Sequence, residues 1–181
     1  GNYPVGTSNV ALGNTALDNV EAGGNYNIAI GDSAGTALTT GDQNTFVGSF
    51  SGIATVTTSD NTGLGLSSLR ANTGSNNTAL GSQALRYNST ASKNTAVGYQ
   101  SLYDNTTGHS LTSVGYTALA NNTTGNYNVA FGREALLANT TGGNNVGLGR
   151  DALRSNTTAS NNTAVGYQSL LSNTTGTQNV G

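Results

Sequence analysis

One motif recurs along the whole chain at an almost constant interval. The nonapeptide NTAVGYQSL occupies residues 94–102 and again residues 162–170. The glycine of its AVG segment has ten equivalents, spaced 16 to 18 residues apart and mostly 17. These anchor glycines are Gly13, Gly31, Gly48, Gly65, Gly81, Gly98, Gly115, Gly132, Gly149 and Gly166. A unit this short cannot bury a core alone, so the repeats are expected to stack into one elongated domain.

Equivalent positions of the repeat form columns of constant character. The residue before each anchor glycine is large and apolar, and the third residue before it is β-branched. The residue between them is small in nearly every repeat. This alternation predicts one β-strand per repeat, with a large face and a small face. The large apolar column is Leu12, Ile30, Val47, Leu64, Leu80, Val97, Val114, Phe131, Leu148 and Val165. The small column is Ala11, Ala29, Phe46, Gly63, Ala79, Ala96, Ser113, Ala130, Gly147 and Ala164.

A second apolar column follows each anchor glycine by four residues. It holds Leu in eight repeats and Gly35 and Gly52 in the other two, and Ala or Ser always precedes it. We expect a second short strand here, with Leu pointing inward and the small residue outward. The members of this Leu column are Leu17, Gly35, Gly52, Leu69, Leu85, Leu102, Leu119, Leu136, Leu153 and Leu170.

The rest of each unit has the composition of a turn. Asn recurs seven residues after the anchor glycine and usually continues as NTTG or NTTAS. Asn and Gly accept left-handed backbone conformations, and Thr hydroxyls can satisfy local backbone groups. Six of these Asn residues also begin formal glycosylation sequons, but a turn role is favoured over glycan attachment. They are Asn88, Asn105, Asn122, Asn139, Asn156 and Asn173.

Two strands and two turns in 17 residues predict an all-β fold, a parallel β-solenoid or β-roll of about ten coils. Residues 1–8 are expected to lead in from a preceding segment, 9–178 to form ten repeats, and 179–181 to begin another, as in a fragment of a longer fibre. Each coil offers only two or three large aliphatic side chains. A core this thin favours an oligomer over an isolated chain.

Two segments carry a family resemblance. Residues 27–34 read NIAIGDSA and residues 8–13 read SNVALG. This unit resembles the head repeat of trimeric autotransporter adhesins, close to SVAIGxxA, and similar repeats occur in phage tail fibres. The resemblance implies a left-handed parallel β-roll with three chains around one axis. It further implies that the large apolar and Leu columns fill each chain's own core, while small residues face the threefold axis. The axis residues would be Ala11, Ala29, Ala79, Ala96, Ala130 and Ala164.

Composition excludes several functions. Charged residues are 8% of the chain and the formal net charge is −2, so no basic surface for nucleic acid is expected. No apolar run is long enough to span a membrane. There is no Cys, and His109 is the only His, which is expected to be a solvated turn residue and not a metal ligand. The eight carboxylates are assigned to different columns, so neither catalysis nor a cofactor is expected.

Two residue sets are candidates for binding. Tyr99, Tyr116 and Tyr167 follow anchor glycines, where two other coils carry Arg133 and Arg150. Exposed Tyr and Arg can stack on sugars, but packing at the rim of a subunit interface is the favoured reading. Recurrent Thr pairs at the corner, such as Thr106-Thr107, resemble the Thr arrays of ice-binding proteins.

The expected function is that of a non-enzymatic fibre segment in a trimeric adhesin or phage tail fibre. Such a segment would lie outside the cell, on a cell surface or virion tail, and present or form an attachment site. Its partners would be two further copies of itself and a cell-surface glycan or protein receptor. The alternative is a solenoid module that binds ice or glycans.

Overall fold

The computed structural model of the chain describes residues 6–181 and contains ten strands in one parallel sheet. Each strand has three residues, and the strands follow one another in sequence order across the sheet. They are β1 (Val10–Leu12), β2 (Ile28–Ile30), β3 (Thr45–Val47), β4 (Thr62–Leu64), β5 (Thr78–Leu80), β6 (Thr95–Val97), β7 (Thr112–Val114), β8 (Val129–Phe131), β9 (Val146–Leu148) and β10 (Thr163–Val165). The prediction of an all-β parallel solenoid is confirmed, with about nine turns between the ten strands. The first five residues of the predicted lead-in lie outside the described part.

The strand register turns each sequence column into a ladder of stacked side chains. Thr95 of β6 is opposite Thr112 of β7, and Val97 is opposite Val114. The register also holds across the 16-residue repeat, where Leu64 is opposite Leu80. Length differences are therefore absorbed in the turns, and every strand residue keeps its orientation along the sheet.

The small column points into the interior of the chain's own coil. Ala29, Ala79, Ala96, Ala130 and Ala164 are fully buried in the single chain and belong to its hydrophobic core, and Ala11 packs against that core in the first coil. The assignment of these six Ala side chains to a threefold axis is therefore wrong. The large apolar column, expected in the core, lies on the outer face of the sheet.

The Leu column does point inward, as predicted. Leu85 and its equivalents are buried against the small column. The predicted second strand is absent from residues 6–181, because two residues of this segment adopt left-handed conformations. In the coil after Gly81 these are Gln83, with φ of 62°, and Leu85, with φ of 49°. The alternation of left-handed residues makes a continuous turn. The small residue Ala84 between them is fully buried, so the prediction that it points outward is wrong.

Two ladders of buried Asn side chains connect the coils. The first ladder lies four residues before the anchor glycine, where nine coils carry Asn and one carries Leu111. In it, Oδ1 of Asn27 accepts the backbone N–H of Asn44 at 2.9 Å. In the second ladder, seven residues after each anchor glycine from Gly65 onward, Asn105 Nδ2 donates to Asn88 Oδ1 at 2.8 Å and to the Gly108 carbonyl at 2.9 Å. These bonds satisfy polar groups that the narrow interior would otherwise leave unpaired.

The anchor glycines stack so closely that no side chain fits between them. Gly98 has a φ of 126°, and a Cβ atom there would lie 2.5 Å from the carbonyl oxygen of Gly115 in the next coil. Both the backbone conformation and the space require glycine. The anchor position therefore sets the corner at which each strand ends.

Candidate functional site

The outer face of the sheet is a regular surface that crosses all ten strands. It consists of the first and third residues of each strand, while the middle residue points inward. Leu12 is 66% exposed, Leu64 is 49% exposed and Phe131 is 58% exposed. Such exposure is normal for one apolar side chain but unusual for a contiguous row of them.

This outer face carries no charge. Its twenty strand positions hold only Thr, Val, Ile, Leu and Phe. The large apolar column forms one half of the face, and the β-branched column forms the other. The β-branched column is Val10, Ile28, Thr45, Thr62, Thr78, Thr95, Thr112, Val129, Val146 and Thr163. An uncharged face that contains a continuous apolar column is typical of a protein–protein interface.

The predicted Tyr and Arg residues form one row along an edge of the solenoid. Tyr99 and Tyr116 stack with ring centroids 5.5 Å apart and planes 18° apart. The Arg133 guanidinium lies 5.7 Å from the Tyr116 ring, and Arg150 lies 5.6 Å from the Tyr167 ring. Neighbours within the chain thus cover both faces of Tyr116. Tyr116 therefore has no free face for stacking on a sugar.

An ion network lies beside this row. Glu134 bonds Arg133 at 2.8 Å and Arg154 at 2.7 Å, and Arg154 lies 3.8 Å from Asp151, which also pairs with Arg150 at 3.2 Å. Glu134 and Asp151 occupy equivalent positions in neighbouring coils, so the assignment of all carboxylates to different columns was wrong. Hydrogen bonds from Arg154 and then Arg133 lower the pKa of Glu134 below its usual range.

The sequon asparagines from Asn88 to Asn156 are fully buried and belong to the second ladder, which explains their turn position without a glycan. The first Thr of four of the five corner pairs also donates a hydrogen bond through its hydroxyl. Thr106 Oγ1 donates to the Thr123 carbonyl at 2.9 Å, and Thr123 Oγ1 donates to the Thr140 carbonyl at 3.1 Å. These hydroxyls are therefore unavailable to the predicted ice-binding array.

His109 lies in a groove and not on an open turn. Its ring meets the Tyr127 ring edge-to-face with centroids 5.0 Å apart, and Lys93 lines the same groove. The residues are 16 and 18 positions apart in the sequence, and stacking of coils brings them together. Alignment of the repeats places Lys93 and Tyr127 in one column, five residues before an anchor glycine, but neither was predicted as a site.

A second polar cluster also escaped the sequence analysis. Arg86 Nη1 donates to the Tyr103 hydroxyl at 3.0 Å, and the guanidinium lies 5.1 Å from the Tyr87 ring. Burial, with the neighbouring Tyr87, raises the pKa of Tyr103, and burial raises the pKa of the adjacent Asp104 carboxyl. These contacts tie neighbouring coils together.

No protein-family model, curated protein or solved structure matches this chain. Within residues 6–181, no group of three His, Cys, Asp or Glu side chains is placed to hold a metal ion. Over the same residues, no helix has the length and apolar character needed to cross a membrane.

Proposed function

We propose that this chain is a structural fibre segment that assembles with two further copies through the outer face of its sheet. It would serve in an extracellular adhesin or a phage tail fibre, as the resemblance of the repeat implies, and hold or form an attachment site. No catalytic role or cofactor is part of this proposal. The observation that supports it is the uncharged outer face, which extends across all ten strands.

The regularity of the outer face favours a second copy of the chain as its partner. The side chains of the face repeat once per coil, at the spacing between parallel strands, about 4.8 Å. A partner that packs along all ten coils must have the same repeat distance. An identical solenoid has that spacing and an equally apolar face. Its β-branched and large apolar side chains can interdigitate with those of its neighbour, and burial removes apolar area from water at about 25 cal/mol per Å². The number of three chains comes from the resemblance.

Charge placed on the outer face tests this proposal. In Val97→Asp combined with Val114→Asp, two carboxylates replace outward side chains of adjacent strands without altering the core. We expect a folded monomer, because an unpaired charge buried in an interface opposes assembly. Sedimentation velocity measures the mass, and circular dichroism confirms that the sheet persists.

The matched control is Thr124→Asp, at an exposed corner position away from the sheet. It should leave the assembly unchanged. If the outer-face double variant keeps the same mass as the parent chain, the outer face is not the interface.

The outer face also supports a second candidate, ice binding. Five consecutive strands, β3 to β7, present Thr45, Thr62, Thr78, Thr95 and Thr112 in register. These hydroxyls lie on the outer face of the sheet, beside a row of aliphatic side chains, and not at the corner where the Thr pairs were predicted to act. A monomer that shows thermal hysteresis, abolished by Thr78→Lys with Thr95→Lys, would favour this function over the fibre.

A further inference from the structure

The groove that contains His109 has a composition found nowhere else in this chain. It encloses about 350 Å³ and brings together the only Lys and the only His of the sequence. Thr107, Ser110 and Tyr127 add hydroxyl groups to its wall, and no carboxylate lines it. The volume lies within the usual range for small-ligand sites, about 300–1,000 Å³.

The coil geometry fixes where these side chains stand. Lys93, Ser110 and Tyr127 occupy equivalent positions in three successive coils, each in a left-handed conformation with φ of 64°, 57° and 58°. Two coil steps therefore separate Lys93 from Tyr127, or about 10 Å at the spacing of parallel strands. This distance suits a ligand of about two sugar units.

The polar groups of the groove remain available to a ligand. Within residues 6–181, Lys93 has no ion pair, whereas Arg133, Arg150 and Arg154 are all paired with carboxylates. His109 Nδ1 lies 3.3 Å from Ser110 Oγ, which leaves the opposite ring nitrogen open. Tyr127 is 56% exposed, and only the His109 ring contacts it among aromatic side chains of the described residues.

We propose that this groove binds an anionic saccharide, with a sulfate or carboxylate group beside Lys93 and His109. An ammonium group attracts either anion, and Ser and Thr hydroxyls exchange hydrogen bonds with sugar hydroxyls. The free edge and face of Tyr127 can pack on the apolar side of a sugar ring. A long polyanion such as nucleic acid is disfavoured, because the single Lys of the groove neutralises too few phosphates on a chain with net charge −2. This inference rests on the proposed attachment role and identifies a ligand class for it.

Calorimetric titration of the intact chain with three oligosaccharides of equal length tests the inference. One is sulfated, one is a uronic acid oligomer and one is neutral. We expect at least one anionic ligand to bind about tenfold more tightly than the neutral one. The anion that binds identifies which of the two groups the groove prefers. Equal affinity for all three ligands, or no binding of any, would overturn the inference.

Variants locate the site. Lys93→Gln should weaken binding of the anionic ligand about tenfold, and Lys93→Arg should retain most of the affinity. Arg70→Gln removes an exposed cation outside the groove, and Tyr26→Ala removes the equivalent exposed Tyr of another coil. Both controls should bind like the parent chain. If Arg70→Gln lowers the affinity for the anionic ligand as much as Lys93→Gln does, the attraction is non-specific and the inference is overturned.

Sedimentation of the same samples separates the two proposals. A trimer that binds none of the saccharides contradicts the ligand assignment alone. A monomer that binds the anionic ligand through Lys93 contradicts the fibre alone.

Discussion

Phe46 and Gly52 share one volume in the core: a Cβ atom on Gly52 would lie 2.5 Å from Phe46 Cδ1. Phe46 stands in the small column and is fully buried. Gly35 and Gly52 replace Leu in the Leu column on either side of its ring, and Gly63 replaces Ala in the next strand. One large residue is therefore balanced by three small ones, which keeps the interior close-packed.

Phe46→Ala is expected to lower the free energy of unfolding by about 3–5 kcal/mol, because it leaves a cavity beside glycines that cannot fill it. Denaturant unfolding measures the change. Gly52→Leu alone should also destabilise the chain through overlap with the ring. The double variant Phe46→Ala, Gly52→Leu restores the residue pattern of the other coils. Its free energy of unfolding should fall by less than the sum of the two single-variant losses. If the losses simply add, the two side chains do not compete for the same space.

The second Asn ladder predicts a large effect from a small polar change. In Asn105→Ala, Asn88 Oδ1 loses its shorter donor and keeps only Asn94 Nδ2 at 3.4 Å. Asn122 Nδ2 loses the acceptor 2.9 Å away and keeps only the Gly125 carbonyl. A buried polar group that loses its partner costs about 1–3 kcal/mol, so we expect a loss of about that size. Thr107→Ala, two residues away on the exposed corner, is the control and should change stability little. Equal effects of the two variants would show that the ladder contributes nothing.

The orientation of the strands predicts the outcome of Ala96→Asp. Ala96 is fully buried inside its own coil, so the carboxylate would have no partner there. We expect loss of the folded sheet, seen by circular dichroism, and not a folded monomer. If the Ala96→Asp chain instead stays folded but dissociates, Ala96 lies at an interface between copies and not inside its own coil.

Glu134 predicts a pH-dependent contribution to stability. Its pKa is lowered in the folded chain by Arg154 and Arg133, so the ionised form favours folding. This contribution is present above the pKa of Glu in the unfolded chain, about 4.3, and is lost as the pH falls through the lower folded value. Glu134→Gln should therefore lower the denaturation midpoint at pH 7 and have a smaller effect near pH 3. The exposed Glu21, replaced by Gln, serves as the control. A Glu134→Gln effect of the same size at both pH values would contradict the network.

The sequence predicted the period, the parallel stacking and the inward Leu column, because each depends on features repeated in every coil. The inward side of the strand was predicted wrongly, because the resemblance placed the large apolar column in the core. A period of two shows that Ala96 and Val97 face opposite ways, but not which of them is buried. The space between the sheet and a Leu side chain accepts only small residues, and Phe46 fits only where Gly35 and Gly52 replace Leu. The left-handed Leu85 that shapes the turn after the anchor glycine carries no sequence signal, since Leu rarely adopts such a conformation.

The groove that contains His109 was not predicted from the sequence, for a different reason. Lys93, His109 and Tyr127 lie in three different repeats, and none belongs to a column of constant character. Only the register of neighbouring coils shows that they share one wall. Variable positions in adjacent repeats, compared with each other, would have identified the cluster.

Sedimentation equilibrium of the unmodified chain at several concentrations tests the central claim most directly. If the outer face joins copies of the solenoid, the mass should be about three times 18.1 kDa and should not change with moderate dilution. A folded species of 18.1 kDa at every concentration would contradict the fibre and leave the outer face open to solvent.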